Sequence, residues 1–143
     1  MPNKVKSPLL IPEGRFSMLD YVMVFIEDPK THDFLASSDL IGRLAPPVIA
    51  VDLGKEFENR AKALMETGVK STLEYPLNLG YSEPLKAHML LCNAPDRDSV
   101  DTLPLKLKWV KAADLLRQNL NLPEPVTTYL GRAASFERTL ARR

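Results

Sequence analysis

A single cysteine, Cys92, in a chain of 143 residues excludes an internal disulfide and any paired-cysteine zinc or redox motif. Long apolar runs are also absent. No stretch reaches the roughly 18–20 residues that a membrane-spanning helix needs. The N-terminus lacks the basic region, apolar run and small-residue cleavage site of a secretory leader. Glycine is scarce, at 6 residues, and no phosphate loop or dinucleotide fingerprint is found. Net charge is only +1, so the overall balance calls for no nucleic-acid partner. Together these absences make the cytoplasm the expected compartment, with no membrane association.

What remains is an ordinary globular composition, 45% hydrophobic and 26% charged, at a length that suits one domain. Residues 1–18 are punctuated by Pro2, Pro8 and Pro12 and lack periodicity, so they read as an extended arm. Residues 19–143 read as a single α/β domain that ends in an amphipathic helix. From Leu105 to Arg143 eight basic residues face three acidic ones. A solvated helix face explains that excess, and RNA or an acidic protein is the alternative partner.

Tyr21–Glu27 is rich in β-branched and aromatic residues and runs into Asp28-Pro29-Lys30-Thr31, which has turn chemistry. Asp33–Ser37 then reads as the returning strand of a hairpin. The prolines at 46 and 47 make Gly42–Pro47 a loop, and Val48–Leu53 follows as a strand. A helix is expected from Glu56 to Thr67, with Phe57, Ala61, Leu64 and Met65 on its apolar face and Gly68 as the residue just past its end. Val69–Tyr75, broken by Pro76, and the apolar run Leu85–Cys92 are the next strands. Leu105–Val110 alternates, with Leu105, Leu107 and Trp109 on one face. A short helix over Ala112–Leu120 and a final helix from about Val126 to Ala141, preceded by Pro125, complete the chain. Helices interleave with strands, which favours a mixed sheet covered on both faces.

The segment Gly54 to Val69 resembles the Nudix box, in which a glycine-bearing loop enters a helix ending Glu-Glu-x-Gly. The order of elements around it is also similar: a hairpin before, then Trp109-Val110 and a short helix after. The resemblance spans about residues 20–120 and implies an α/β/α sandwich with a mixed β-sheet. It also implies a row of helix carboxylates that hold Mg²⁺ against the pyrophosphate of a nucleoside diphosphate-linked compound, because hard cations take oxygen ligands and activate water.

The box is degenerate. Aligned from Gly68, Glu66 matches the last glutamate, but Met65, Lys62 and Ala61 fall on the preceding glutamate and on the Glu and Arg of the family's Arg-Glu pair. Pro47 and Val48 replace loop glycines. A shifted alignment recruits Glu56 and Glu58 at the expense of a gap inside the helix. The bland explanation is that Glu58, Lys62 and Glu66 form a solvated ladder of i,i+4 pairs.

Other chemistry-bearing residues are weaker candidates. Cys92 lies in an apolar strand and reads as a small inert filler. His32 is placed in an exposed turn and His88 in a core strand. Asp96, Asp98 and Asp101 form a loop cluster interrupted by Arg97. The first functional expectation is therefore a Nudix-like domain with an eroded metal site that binds a ligand or a protein partner, requires no cofactor and has surface for homo-oligomer assembly. A nucleotide-like small molecule is the ligand class considered. The rival is a divergent Mg²⁺-dependent pyrophosphatase using Glu56, Glu58 and Glu66. An unrelated α/β interaction module is the third expectation.

Overall fold

A computed structural model describes residues 19–39, 41–52 and 57–141. The expected arm over 1–18 and the candidate Glu56 lie outside the described residues. Among these residues seven strands form the sheet: β1 (Leu19–Glu27), β2 (Asp33–Ser38), β3 (Leu44–Ala45), β4 (Val48–Asp52), β5 (Glu74–Ser82), β6 (Ala87–Asn93) and β7 (Lys108–Lys111). Among the described residues three α-helices accompany it: α1 (Phe57–Val69), α2 (Ala112–Leu116) and α3 (Glu124–Ala141).

β1 is the spine. On one edge it pairs in parallel with β6, from Tyr21 opposite Ala87 to Glu27 opposite Asn93. On the other edge its first half pairs antiparallel with β4, and its end turns back into β2. β5 closes one side against β6 and β7 lies against β2. The sheet is thus mixed, as the interleaved pattern predicts.

The period-2 alternation of strands sorts the core into two layers. Val22, Val24 and Ile26 of β1 point to the same side as Leu90 and Cys92 of β6, where they meet Ala61, Met65 and Val69 of α1. Met23 and Phe25 point the other way, with Ala87, Met89 and Leu91, and meet Ala112 and Leu115 of α2 and Val126, Leu130 and Ala133 of α3. An α/β/α sandwich results. α1 covers one face through a three-residue apolar stripe at spacing four, which is what a helix against a sheet requires.

Several boundaries differ from the sequence reading, and the short strand β3 forms inside the expected loop Gly42–Pro47. α1 continues through Gly68 to Val69, and the left-handed residue after it is Lys70, with φ 54°. A Cβ at Gly68 would lie 2.9 Å from Leu105 Cδ1, the tip of a partly exposed side chain. Pro76 does not end a strand but sits inside β5, at a register shift between Glu74 and Leu77, because an irregular edge strand tolerates a residue without an N–H. Leu105 is outside β7, in a turn where Lys106 has φ 54°, although Leu107 and Trp109 do share the α1 face. α2 ends at Leu116, four residues before the expected end, and Gln118 turns back to donate its Nε2–H to the Asp114 carbonyl.

Candidate functional site

The helix that carries the resemblance uses its side chains for packing. Met65 is 1% exposed and belongs to the core. Glu66 is half-buried, and its Oε2 accepts the backbone N–H of Leu73 at 2.9 Å, which ties α1 to the approach of β5. It is drawn out of the i,i+4 ladder expected with Glu58 and Lys62. Glu58 is half-buried in the first turn of α1. Eight residues separate Glu58 from Glu66, about 12 Å along the axis, too far for both to ligate one ion at the 2.0–2.6 Å of Mg²⁺ or Ca²⁺ ligands. Among the described residues no three His, Cys, Asp or Glu side chains converge on a common point. The described carboxylates of this helix therefore do not fit a Mg²⁺ cage.

The other sequence candidates resolve into structural roles. Cys92 is fully buried on the α1 face and burial pushes its thiol up to about 12, which fits an inert filler. Asp96 accepts the Asp98 N–H and caps the 3-10 turn Arg97–Ser99, while Asp101 accepts the Leu103 N–H. Arg97 leaves that loop to reach Asp33 at 2.7 Å and Asp28 at 3.6 Å, with its guanidinium 4.6 Å over the Trp109 ring. It is a clamp between loop and hairpin. His88 is not a core residue. It stands half-exposed on the α1 side, held by Asp20 at 2.8 Å between the rings of Phe57 and Tyr81.

The densest chemistry lies on the opposite face, at the carboxyl ends of the parallel pair β1 and β6. Glu27, the last residue of β1, is 1% exposed. Its Oε2 lies 2.5 Å from His32 Nδ1, and its Oε1 accepts the hydroxyl of Tyr129 from α3. Burial and this hydrogen bond to Glu27 push the Tyr129 phenol well above its ordinary range, so it stays a donor. A buried carboxylate is costly unless its oxygens are hydrogen-bonded, and here both are. His32 is not the freely exposed residue expected. It holds φ 63° at the hairpin tip and packs edge-on against Phe136, with centroids 4.3 Å apart.

Tyr129 stands between two clefts. One, of about 420 Å³, is walled by Tyr75, Pro76 and Leu77 of the β5 bulge and floored by Leu91 and Asn93. The other, of about 230 Å³, is lined by His32, Arg132, Ala133 and Phe136. Tyr75 is 73% exposed and sits at φ 55°, a conformation that costs a bulky residue roughly 1–2 kcal/mol. The bulge thus presents an aromatic ring to solvent at a cleft mouth, a use of strain typical of binding sites. Asn93 is the one carboxamide in a lining that otherwise offers aromatic and aliphatic surface, a composition that suits a planar ligand.

Sequence reasoning missed this cleft. One signal was available: Glu27 ends a strand whose alternation places it beside Met23 and Phe25, facing inward. A charged residue at a core register position requires a partner.

No known family's sequence pattern matches the chain, and no curated protein matches it by sequence. Among solved structures the chain is similar to C. elegans Ap4A hydrolase, at 17% identity and a TM-score of 0.45, over 87% of this chain and 95% of that one. A binary complex of the same C. elegans enzyme gives 17% identity and a TM-score of 0.45, over 87% and 96%.

Proposed function

We propose that this chain is a Nudix-like domain that binds a nucleotide-like small molecule without hydrolysing it. One observation carries the reading. The single glutamate that aligns with the resembled box, Glu66, is committed to the Leu73 N–H, while the open aromatic cleft lies across the sheet, at Tyr129. Metal-assisted hydrolysis requires carboxylates and substrate on the same side of the molecule. Here the two features are on opposite faces, separated by the sheet.

The cleft supplies what a planar heterocycle needs. The rings of Tyr75 and Tyr129 offer stacking surface, typically about 0.5–1.5 kcal/mol per aromatic pair beyond area burial. The Asn93 carboxamide offers one donor and one acceptor edge. Arg132, in the adjoining cleft, is the cation within reach of a phosphate.

Titration calorimetry with adenosine, guanosine, cytidine and uridine and their 5′-diphosphates, with and without Mg²⁺, tests the reading, with released phosphate measured in parallel. Saturable binding without Mg²⁺, abolished in Tyr129→Ala and weakened in Asn93→Leu, with no phosphate released, is the expected result. Turnover that requires Mg²⁺ and disappears in Glu66→Gln would replace this reading with the pyrophosphatase. No heat with any compound would remove the ligand class.

A further inference from the structure

Two side chains of the β1–β2 hairpin hold two side chains of α3. Glu27 accepts from the hydroxyl of Tyr129, and His32 packs edge-on against Phe136. Tyr129 and Phe136 are seven residues apart, two turns along one face of the helix. Glu27 and His32 are themselves joined at 2.5 Å. The four residues form one closed arrangement, and Tyr129 within it is also the shared wall of both clefts.

We infer that Glu27 and His32 are positioning residues for the ligand cleft, and that the proton they share holds Tyr129, and with it the middle of α3, in place. This rests on reading the cleft as the ligand site. The electrostatics follow from burial. The Glu27 side chain is 2% exposed and that of His32 27%, so the carboxylate is dry and the imidazole can exchange its proton with water. While the pair holds the proton, the carboxylate is compensated. Once the proton leaves, a neutral imidazole can still donate from Nδ1, but the carboxylate becomes a buried anion without a counter-ion. That is the arrangement proteins tolerate least.

Among the described residues no nearby cation replaces it. Arg97 is engaged by Asp28 and Asp33. Asp28 also accepts the Lys30 N–H, and Lys111 lies opposite Asp33 in the β2–β7 register. Asn93, next to Glu27 in the β1–β6 register, is uncharged. Arg132 lines the cleft on the side of His32 and Phe136, and its side chain is exposed to solvent. The Tyr129 phenol, held above its ordinary range, does not titrate in the same window. The left-handed backbone of His32, φ 63°, is the conformation that brings its ring under Phe136 and against Glu27.

Two measurements test the inference, and only one needs a ligand. Amide hydrogen exchange of residues 126–134 in α3 is followed from pH 5.5 to 8, where imidazoles change charge. It is corrected for intrinsic exchange and referred to α1 in the same molecule. Protection should fall about tenfold in the wild-type protein, the factor that about 1.4 kcal/mol makes in an equilibrium constant. It should be flat in His32→Gln and in Glu27→Gln, both of which keep a hydrogen-bonding side chain of similar size. A flat wild-type profile, or an equal slope in both variants, overturns the inference.

The second measurement is the affinity for adenosine over the same pH range. It should weaken in step with the exchange in the wild-type protein. Tyr129→Phe keeps the ring and loses the hydroxyl, so it should bind adenosine with no pH slope; a retained slope there would show that the proton acts elsewhere and would overturn the inference. If adenosine fails to bind at any pH while the exchange slope is present and depends on His32, the ligand reading falls and the positioning of Tyr129 stands.

Discussion

The two faces of the sheet are built from the same strands and differ in what they bury. On the α1 face, Val22, Val24, Ile26, Leu90 and Cys92 meet Ala61, Met65 and Val69, and the interior is apolar. On the α3 face the same alternation ends in a buried carboxylate, Glu27, with a histidine and a tyrosine on it. A dry apolar interface is stabilised by area and tolerates little exchange of protons or ligands. An interface with a compensated charge in it gives up part of that stability and acquires a state that can change. The resembled motif thus lies on the apolar face, and the buried carboxylate with its two partners lies on the other.

Core truncation on both faces gives the largest expected effects. Phe34 is fully buried and meets Phe25 and Tyr129 edge-on, each at 6.4 Å. Phe34→Ala should cost about 3–5 kcal/mol in urea unfolding, and Met65→Ala on the opposite face about 2–5 kcal/mol. The two should differ in one respect. Phe34→Ala removes the ring behind Tyr129 and should also abolish ligand binding, whereas Met65→Ala should leave the affinity of the folded protein unchanged. If Met65→Ala weakened binding as strongly, the division of labour between the faces would be wrong.

Proton linkage separates the faces again, and with a clear sign. Burial raises the Cys92 thiol to about 12, whereas an unfolded cysteine titrates near 8.5. The stability associated with keeping that thiol neutral is fully present below about pH 8.5 and is lost as pH rises toward 12. At pH 8 the thiolate fraction falls by about three orders of magnitude relative to a free cysteine. Alkylation by iodoacetamide should be slower by that factor, and should accelerate to the free-thiol rate in urea. Rapid labelling in native buffer would mean that the α1 face opens readily.

Much of the architecture was legible because it rests on periodicity. The alternation of β1, the apolar continuity of β6 and the apolar spacing of α1 are properties of consecutive residues, and the structure keeps them. β5 was not legible. Its pairing depends on a bulge that absorbs Pro76 and on Tyr75 at positive φ, and no local pattern encodes either. The same holds for the cleft. Tyr129 and Glu27 are 102 residues apart, so only the inward register of Glu27 hinted that a partner existed. Among the described residues no metal-ligand set gathers, for a related reason. Glu66 matched by position in a motif, but its carboxylate is claimed by an N–H seven residues on.

The end of α1 gives an intermediate prediction. Gly68 lies inside the helix and its Cβ position meets only the flexible tip of Leu105, which is 39% exposed and free to turn aside. Gly68→Ala should therefore stabilise the protein, by up to about 1 kcal/mol of helix propensity. At Lys70, with φ 54°, Lys70→Gly should gain about 1 kcal/mol by relieving a left-handed side chain. If Gly68 instead ended the helix in a left-handed conformation, as the sequence suggests, Gly68→Ala would destabilise and Lys70→Gly would do nothing.

The smallest expected effect is the one most sensitive to what α1 is for. In Glu66→Gln the carboxamide oxygen can still accept from the Leu73 N–H, so the bond at 2.9 Å changes from charge-assisted to neutral and the loss should be about 0.5–1 kcal/mol. Glu66→Ala leaves that N–H without its partner and should cost about 1–3 kcal/mol. A structural carboxylate gives this graded series in urea unfolding, identical with and without Mg²⁺. A metal ligand gives a different one: Gln and Ala equally impaired, and a stabilising effect of Mg²⁺ on the wild-type protein alone, since only a species bound by the folded state shifts the unfolding equilibrium. The ratio of the two substitutions, measured in both buffers, therefore decides whether the scaffold face retains any of the chemistry its sequence resembles.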